Sequence, residues 1–355
     1  MTPRRLTAVL LALVGVIATG CGGDGTSGAG GGAALTVYSP SGLGDWYKSR
    51  FEEFTQQTGI TVNLFEAGSG EVVSRVNSRA VWERLDKEPV AAADVLVTLP
   101  PFIQKAAKAG VLQPSGVDTT GIPADAVGPG GVYVPIVNTA LCFIANPAVS
   151  PPPATWDDLL RPDLKGKLQY STPGEAGDGT AMLLLLQRLM GKPGALDYLT
   201  RLQANNVGPS SSTGNLAPKV DSGELLVANG DVQMNLASIK KGSKFGIFFP
   251  AMPDKTRTTI ALSYVAGVTA SSQRPEEAKK LLAFLLSDNV QRTVSPEAFG
   301  TPVRDAIAKE MIAAGGGPMT PTGVLKDVTI FTPDWNTVLA DIDGDIAAYK
   351  AATGN

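Results

Sequence analysis

The chain has 355 residues, with 30 Lys and Arg against 33 Asp and Glu and a formal net charge of −3, so its composition argues against a nucleic-acid or anionic-membrane surface. It contains no histidine and two cysteines. That removes every His-dependent triad, the usual proton shuttle and most zinc sites, and it weakens an enzymatic reading against a binding one.

Arg4 and Arg5 precede an apolar run from Leu6 to Ala18, which leads into Ala18-Thr-Gly-Cys21. This is the pattern of a secretory signal closing on a lipobox (residues 1–21), whose cysteine is cleaved behind and acylated. The run is shorter than the ~20 residues a membrane span needs. Residues 22–34 are mostly Gly, Ser, Thr and Ala, which suits a flexible tether. Loss of Arg4 and Arg5 leaves 28 basic residues against 33 acidic ones, a mature net charge of about −5. Roughly 320 further residues exceed one core and favour two domains.

The first body segment alternates strands and helices. Leu35–Tyr38 reads as a strand, and a helix follows from Asp45 to Thr58 with Tyr47, Phe51 and Phe54 on one face, Asp45 as cap and Gly59 as stop. Ile60–Phe65 is a strand and Glu71–Val76 opens a helix. The stretch Val81–Ala93 has helical composition broken by Pro89. Asp94–Val97 is the third strand, and Phe102–Ala109 is a helix closed by Gly110. This order predicts a mostly parallel sheet.

Two long strand-like runs, Tyr133–Ala145 and Thr258–Val268, have the length to cross between domains, and Cys142 sits in the first as a small buried hydrophobe. Between them a second α/β set is predicted. Its parts are a strand at Leu168–Tyr170, a Gly-rich loop at Ser171–Gly179, helices at Thr180–Met190 and Leu196–Ala204, and a strand at Asp231–Leu236. Pro275–Ser287 is an amphipathic helix.

Three strand-to-helix loops are small and hydroxyl-bearing: Ser39-Pro-Ser-Gly42, Gly68-Ser-Gly-Glu71 and Thr98-Leu-Pro-Pro101. Such loops aim backbone N–H groups into the crevice at the carboxyl ends of the strands, which suits a small anionic ligand. The candidate ligand contacts are Ser39, Ser41, Gly42, Ser69, Gly70, Glu71 and Thr98 from these loops. Ser171, Thr172, Gly179 and Thr180 are their counterparts in the second set, and Ser210-Ser-Ser-Thr-Gly214 is a further donor cluster or a solvated loop. Thr180 is expected to donate to the ligand. For the ammonium of a zwitterion the acidic candidates are Glu71, Asp45 and Asp178, each with a rival role in a helix first turn. Tyr38, Trp46 and Tyr264 are aromatic candidates for the pocket wall.

Lipobox, tether and a two-domain body joined by crossover strands resemble the solute-binding lipoproteins of bacterial ABC importers, in the class of the ferric-ion and polyamine binders. Thr155-Trp-Asp-Asp-Leu159 with Leu164-Lys-Gly-Lys-Leu168 is similar to a segment common in that class. Further blocks resemble its 2-aminoethylphosphonate-binding subgroup: Asp45-Trp-Tyr47, Glu66–Val72, Ala93–Ile103, Tyr170-Ser-Thr-Pro173 with Gly177-Asp-Gly-Thr180, and Arg257–Leu262. The adjacent tyrosines of the ferric binders are absent, since the matching region reads Ala237-Ser-Ile-Lys-Lys241, and residues 79–92 are longer than in the phosphonate subgroup.

The resemblance implies a type 2 periplasmic-binding-protein fold, α/β, with two lobes (35–138 plus 262–302, and 139–261 plus 303–355) that are each a mostly parallel sheet flanked by helices and joined by crossover strands. It implies a monomeric, non-enzymatic receptor without metal or cofactor, lipid-anchored through Cys21 on the outer face of the cell membrane. That receptor would close on a small phosphonate and pass it to an ABC permease. The alternatives are phosphate or sulfate, a polyamine, or ferric ion with a synergistic anion. A secreted enzyme on the same scaffold is the rival class. No Walker motif is present.

Overall fold

The computed structural model describes residues 34–83 and 92–354, with side chains of 78–83 set aside. Residues 34–355 cluster as one unit. The signal, Cys21, the tether and most of the 79–92 segment lie outside the described residues.

Strand β1 (Leu35–Pro40) is wholly buried and leads to helix α1 (Gly44–Thr58). Trp46, Tyr47, Phe51 and Phe54 form the buried face of α1, and Gly59 ends it at φ +72°, its N–H donating to Thr55 O. The expected Asp45 cap does not form. The helix begins one residue earlier, so Asp45 sits inside the first turn and its exposed carboxylate pairs with Lys241. Strand β2 (Val62–Ala67) and helix α2 (Ser69–Glu83) follow, then β3 (Val95–Thr98), α3 (Phe102–Lys108) and the short β4 (Leu112–Gln113).

Strand β5 (Val134–Ala145) begins the second set, with β6 (Leu168–Gln169) and helix α4 (Gly177–Leu202). The two helices expected at 180–190 and 196–204 are the arms of α4, bent where Gly191 takes φ +72° two residues before Pro193. Helix α5 (Leu216–Asp221) precedes β7 (Val227–Asp231) and α6 (Val232–Lys240). The predicted strand 231–236 is thus corrected. The strand ends at Asp231, whose side chain accepts the Met234 N–H at 2.8 Å and caps a helix. Strands β8 (Gly246–Phe248) and β9 (Thr258–Thr269) come next, with α7 (Pro275–Leu285), α8 (Asp288–Gln291), α9 (Asp305–Ala313), α10 (Pro321–Val324), β10 (Thr329–Phe331) and α11 (Trp335–Thr353).

The sheet runs β2-β1-β3-β9-β5-β7-β6. The β2-β1-β3 block is parallel, as the β-α alternation requires, and so is β6–β7. The long strands run antiparallel to most of their neighbours, β9 against β3, β4 and β5, and β5 against β7 and β8, while β10 joins β9 in parallel. The sheet is therefore mixed where it was expected to be mostly parallel, because the crossover strands return through its middle. Two apolar clusters flank it. One gathers β1 and α1 with α7 and Val303, and the other gathers β5, α4 and α11. Among the described residues no helix is long and apolar enough to cross a membrane.

Candidate functional site

The carboxyl ends of β1, β2 and β3 bring the first three loops together. The Ser39 hydroxyl donates to Pro40 O at 3.1 Å and lies 3.2 Å from the Tyr47 hydroxyl. Thr98 Oγ1 donates to Ser69 O at 3.0 Å, tying the third loop to the start of α2. Gly42 has φ +138°, a backbone state favouring glycine, and a Cβ there would meet the Tyr264 hydroxyl at 2.3 Å.

The loops of the second set face them directly. The Gly70 N–H donates to Glu175 O at 2.9 Å. A Cβ at Gly68 would meet Ser211 O at 2.3 Å, and one at Gly177 would meet Ser69 Oγ and Leu99 Cβ at 2.9 Å. The N-terminus of α4 thus abuts the N-terminus of α2. Both present first-turn N–H groups without intrahelical acceptors, and both macrodipoles favour an anion there.

Within the second set, Ser171 is held by Asn229, whose Oδ1 accepts the Ser171 N–H at 2.8 Å and whose Nδ2 donates to Ser171 Oγ at 3.1 Å. Ser171 Oγ lies 3.1 Å from Thr213 Oγ1, and Thr172 exchanges hydrogen bonds with Ser210. Gly179 packs so closely on this loop that a Cβ would meet Ser171 O at 2.0 Å. The Thr180 hydroxyl is engaged inside its own turn, donating to Ala176 O at 2.8 Å and accepting the Gly174 N–H at 2.9 Å.

Other sequence candidates point elsewhere. Glu71 is exposed and pairs with Arg75 at 2.9 Å. Trp46 is core, its indole N–H donating to Thr293 Oγ1. Tyr38 is buried against Phe65. Tyr264 reaches the site, and its hydroxyl lies 3.1 Å from Asp231 Oδ2, 3.2 Å from Gln233 Oε1 and 3.3 Å from Ser41 O.

Sequence reasoning missed Asp231, Gln233 and Asn229, whereas Thr213 belongs to the 210–214 cluster it named. Gln233 Nε2 donates to Gly42 O at 2.9 Å and so links the two sets. A signal for Asp231 existed: Val232, Leu236 and Ile239 recur at helical spacing behind an Asp, a helix start rather than a strand. Burial, followed by the charge of Asp231, pushes the Asp178 carboxyl up to about 8. Burial also raises Asp231, against the lowering pull of the Met234 N–H and Tyr264. No group of three His, Cys, Asp or Glu side chains able to hold a metal occurs among the described residues. A cavity of about 670 Å³ beside Arg188, Met252 and Phe331 lies apart from these loops and shares no residue with them.

The profile of bacterial extracellular solute-binding proteins matches residues 35–299. The chain is 42% identical over 330 residues to a Salmonella typhimurium protein named "Putative 2-aminoethylphosphonate-binding periplasmic protein", covering 90% of this chain and 93% of that one. The periplasmic binding protein AfuA of Actinobacillus pleuropneumoniae, with fructose-6-phosphate bound, superposes with a TM-score of 0.74 at 18% identity over 90% of this chain and 98% of that one. A ferric binding protein of Campylobacter jejuni gives 0.65 at 19% identity, over 90% and 99%. At such identities these two speak for the fold alone.

Proposed function

The chain belongs to the bacterial extracellular solute-binding proteins, and we propose that within them it is the non-enzymatic receptor of an ABC importer for a small phosphonate, 2-aminoethylphosphonate first. The observation that carries this reading is the meeting of the α2 and α4 N-termini, Gly70 N–H against Glu175 O, amid hydroxyls from both sets of loops. Two helix N-termini brought together suit a tetrahedral oxyanion. The name of the Salmonella relative, at 42% identity, supports the choice of phosphonate.

In this reading the segments 35–138 plus 262–302 and 139–261 plus 303–355 are two lobes that hinge shut over the ligand. Cys21 carries the lipid that holds the receptor at the outer membrane face, residues 22–34 are its tether, and an ABC permease takes the ligand onward. Calorimetry on residues 34–355 with 2-aminoethylphosphonate, inorganic phosphate, sulfate, spermidine and ferric citrate tests it. One-to-one binding of the phosphonate in preference to the other four is expected, with no turnover of the bound compound. A preference for any of the other four overturns the ligand assignment.

A further inference from the structure

Asp178 and Asp231 are buried carboxylates with no basic partner: no hydrogen bond or ion pair joins either to a Lys or Arg among the described residues. Asp231 Oδ1 accepts the Met234 N–H at 2.8 Å and the Thr139 hydroxyl at 3.2 Å, and its Oδ2 faces the Tyr264 hydroxyl at 3.1 Å. Asp178 is 3% exposed and takes a hydrogen bond from the Thr213 hydroxyl, yet its Oδ1 has no hydrogen-bond partner. Tyr264 meets Asp231 at 3.1 Å, Asn235 Nδ2 donates to both Asp231 O and Cys142 Sγ, at 2.9 and 3.4 Å, and the charge of Asp178 reaches all three residues. Two like charges buried together without a cation are strongly unfavourable. In the ligand-free protein a proton answers this.

We propose that Asp178 and Asp231 are the subsite for the ligand's primary ammonium group, so that the receptor reads the amine of an aminophosphonate as well as its oxyanion. The inference rests on the phosphonate-receptor reading above. Asp178 stands in the first turn of α4, one residue beyond Gly177, the position that touches Ser69 at the meeting of the helix N-termini. A group that favours anions and a group that favours cations therefore lie a residue apart, matching the two ends of a short zwitterion. An ammonium brings three N–H donors and a positive charge, which suits the unpartnered Asp178 Oδ1 beside Asp231. A metal ion fits less well, because no three His, Cys, Asp or Glu side chains among the described residues are placed to hold one.

A consequence is proton release. The titratable groups facing the pair are Tyr264 and Cys142, with Tyr47 behind Tyr264, and all three are raised by burial and neutral at pH 7. The proton displaced by an ammonium therefore leaves from the pair. Calorimetry on residues 34–355 at pH 7, in two buffers of different ionisation enthalpy, compares 2-aminoethylphosphonate with ethylphosphonate. Wild-type protein is expected to prefer the amine by about 100-fold or more and to release a proton from the pair only with it, beyond any that the phosphonate group itself loses. Asp178→Asn is expected to bring the two ligands within about threefold of each other and abolish the release, with ethylphosphonate affinity kept. Asp231→Asn retains an oxygen to cap α6 and is the second variant. Equal wild-type affinities, or variants that keep the full preference, overturn the subsite and leave the receptor reading intact. Binding of neither phosphonate overturns both.

Discussion

Thr180 shows how a hydroxyl in a ligand-like position can belong to the scaffold. Its Oγ1 donates to Ala176 O and accepts from Gly174 N–H, so both of its strong hydrogen-bonding roles are filled inside the turn that starts α4. Thr180→Ala should therefore lower ligand-free stability by about 1–2 kcal/mol, because it leaves the half-buried Gly174 N–H without its acceptor. Thr180→Ser should restore most of it. Thermal melting with calorimetry checks this: affinity is expected to stay within about threefold, and an unchanged melting point with strongly weakened binding would return the hydroxyl to the ligand. The loop position was legible in the sequence, because Gly177-Asp-Gly-Thr180 announces a helix start. The partners were not, since a hydroxyl's partner is decided by the fold of six residues around it.

At the level of elements, the parallel β1–β3 block and its helices were readable from periodicity and from Gly stops, with bounds off by a residue or two. The β7–α6 junction read both ways, because Val232, Met234 and Leu236 alternate as a strand would while Val232, Leu236 and Ile239 keep helical spacing. Only the Asp231 side chain on the Met234 N–H decides for helix. Strand β7 also holds the 171–179 loop in place, through two hydrogen bonds between the Asn229 amide and Ser171, one in each direction. Asn229→Leu removes both and leaves the buried Ser171 N–H unsatisfied. Urea unfolding should show a loss of about 1–3 kcal/mol, and phosphonate affinity should fall about tenfold as the loop loosens. Stability lost with affinity intact would mean that this loop does not touch the ligand.

For the whole molecule, the buried acid pair sets how stability follows pH. Asp178 holds its proton to about 8 in the native state, whereas an unfolded Asp releases it near 3.9. Between those values the native state binds more protons, so stability is highest at the acid side and falls as pH rises through about 8. The depressed carboxyls of Asp118, Asp163 and Asp254 are pulled down by their hydrogen-bond donors, which moves their contribution to lower pH, so they do not offset the slope. The urea midpoint of the ligand-free protein is expected to drop from pH 5.5 to pH 8.5, and Asp178→Asn should flatten that drop. A wild-type midpoint that rises across the interval would mean that the pair is ionised in the native state. No sequence pattern foretold this pair, since Asp178 and Asp231 come from different elements and meet only through the β5–β7 sheet and α4.

The central position of β9 bears on how the chain comes to be folded at all. Leu35 and Val303 share one apolar cluster, and β3, near the start, hydrogen-bonds to β9, far along the chain. A polypeptide emerging from its N-terminus therefore cannot complete its first core until nearly the whole chain has been released, and each pairing across that interval closes a long loop. Native packing is delayed to the end of synthesis. For a protein threaded through a narrow translocation pore as an extended strand, such lateness is an asset, because a chain that cannot lock early does not jam the pore.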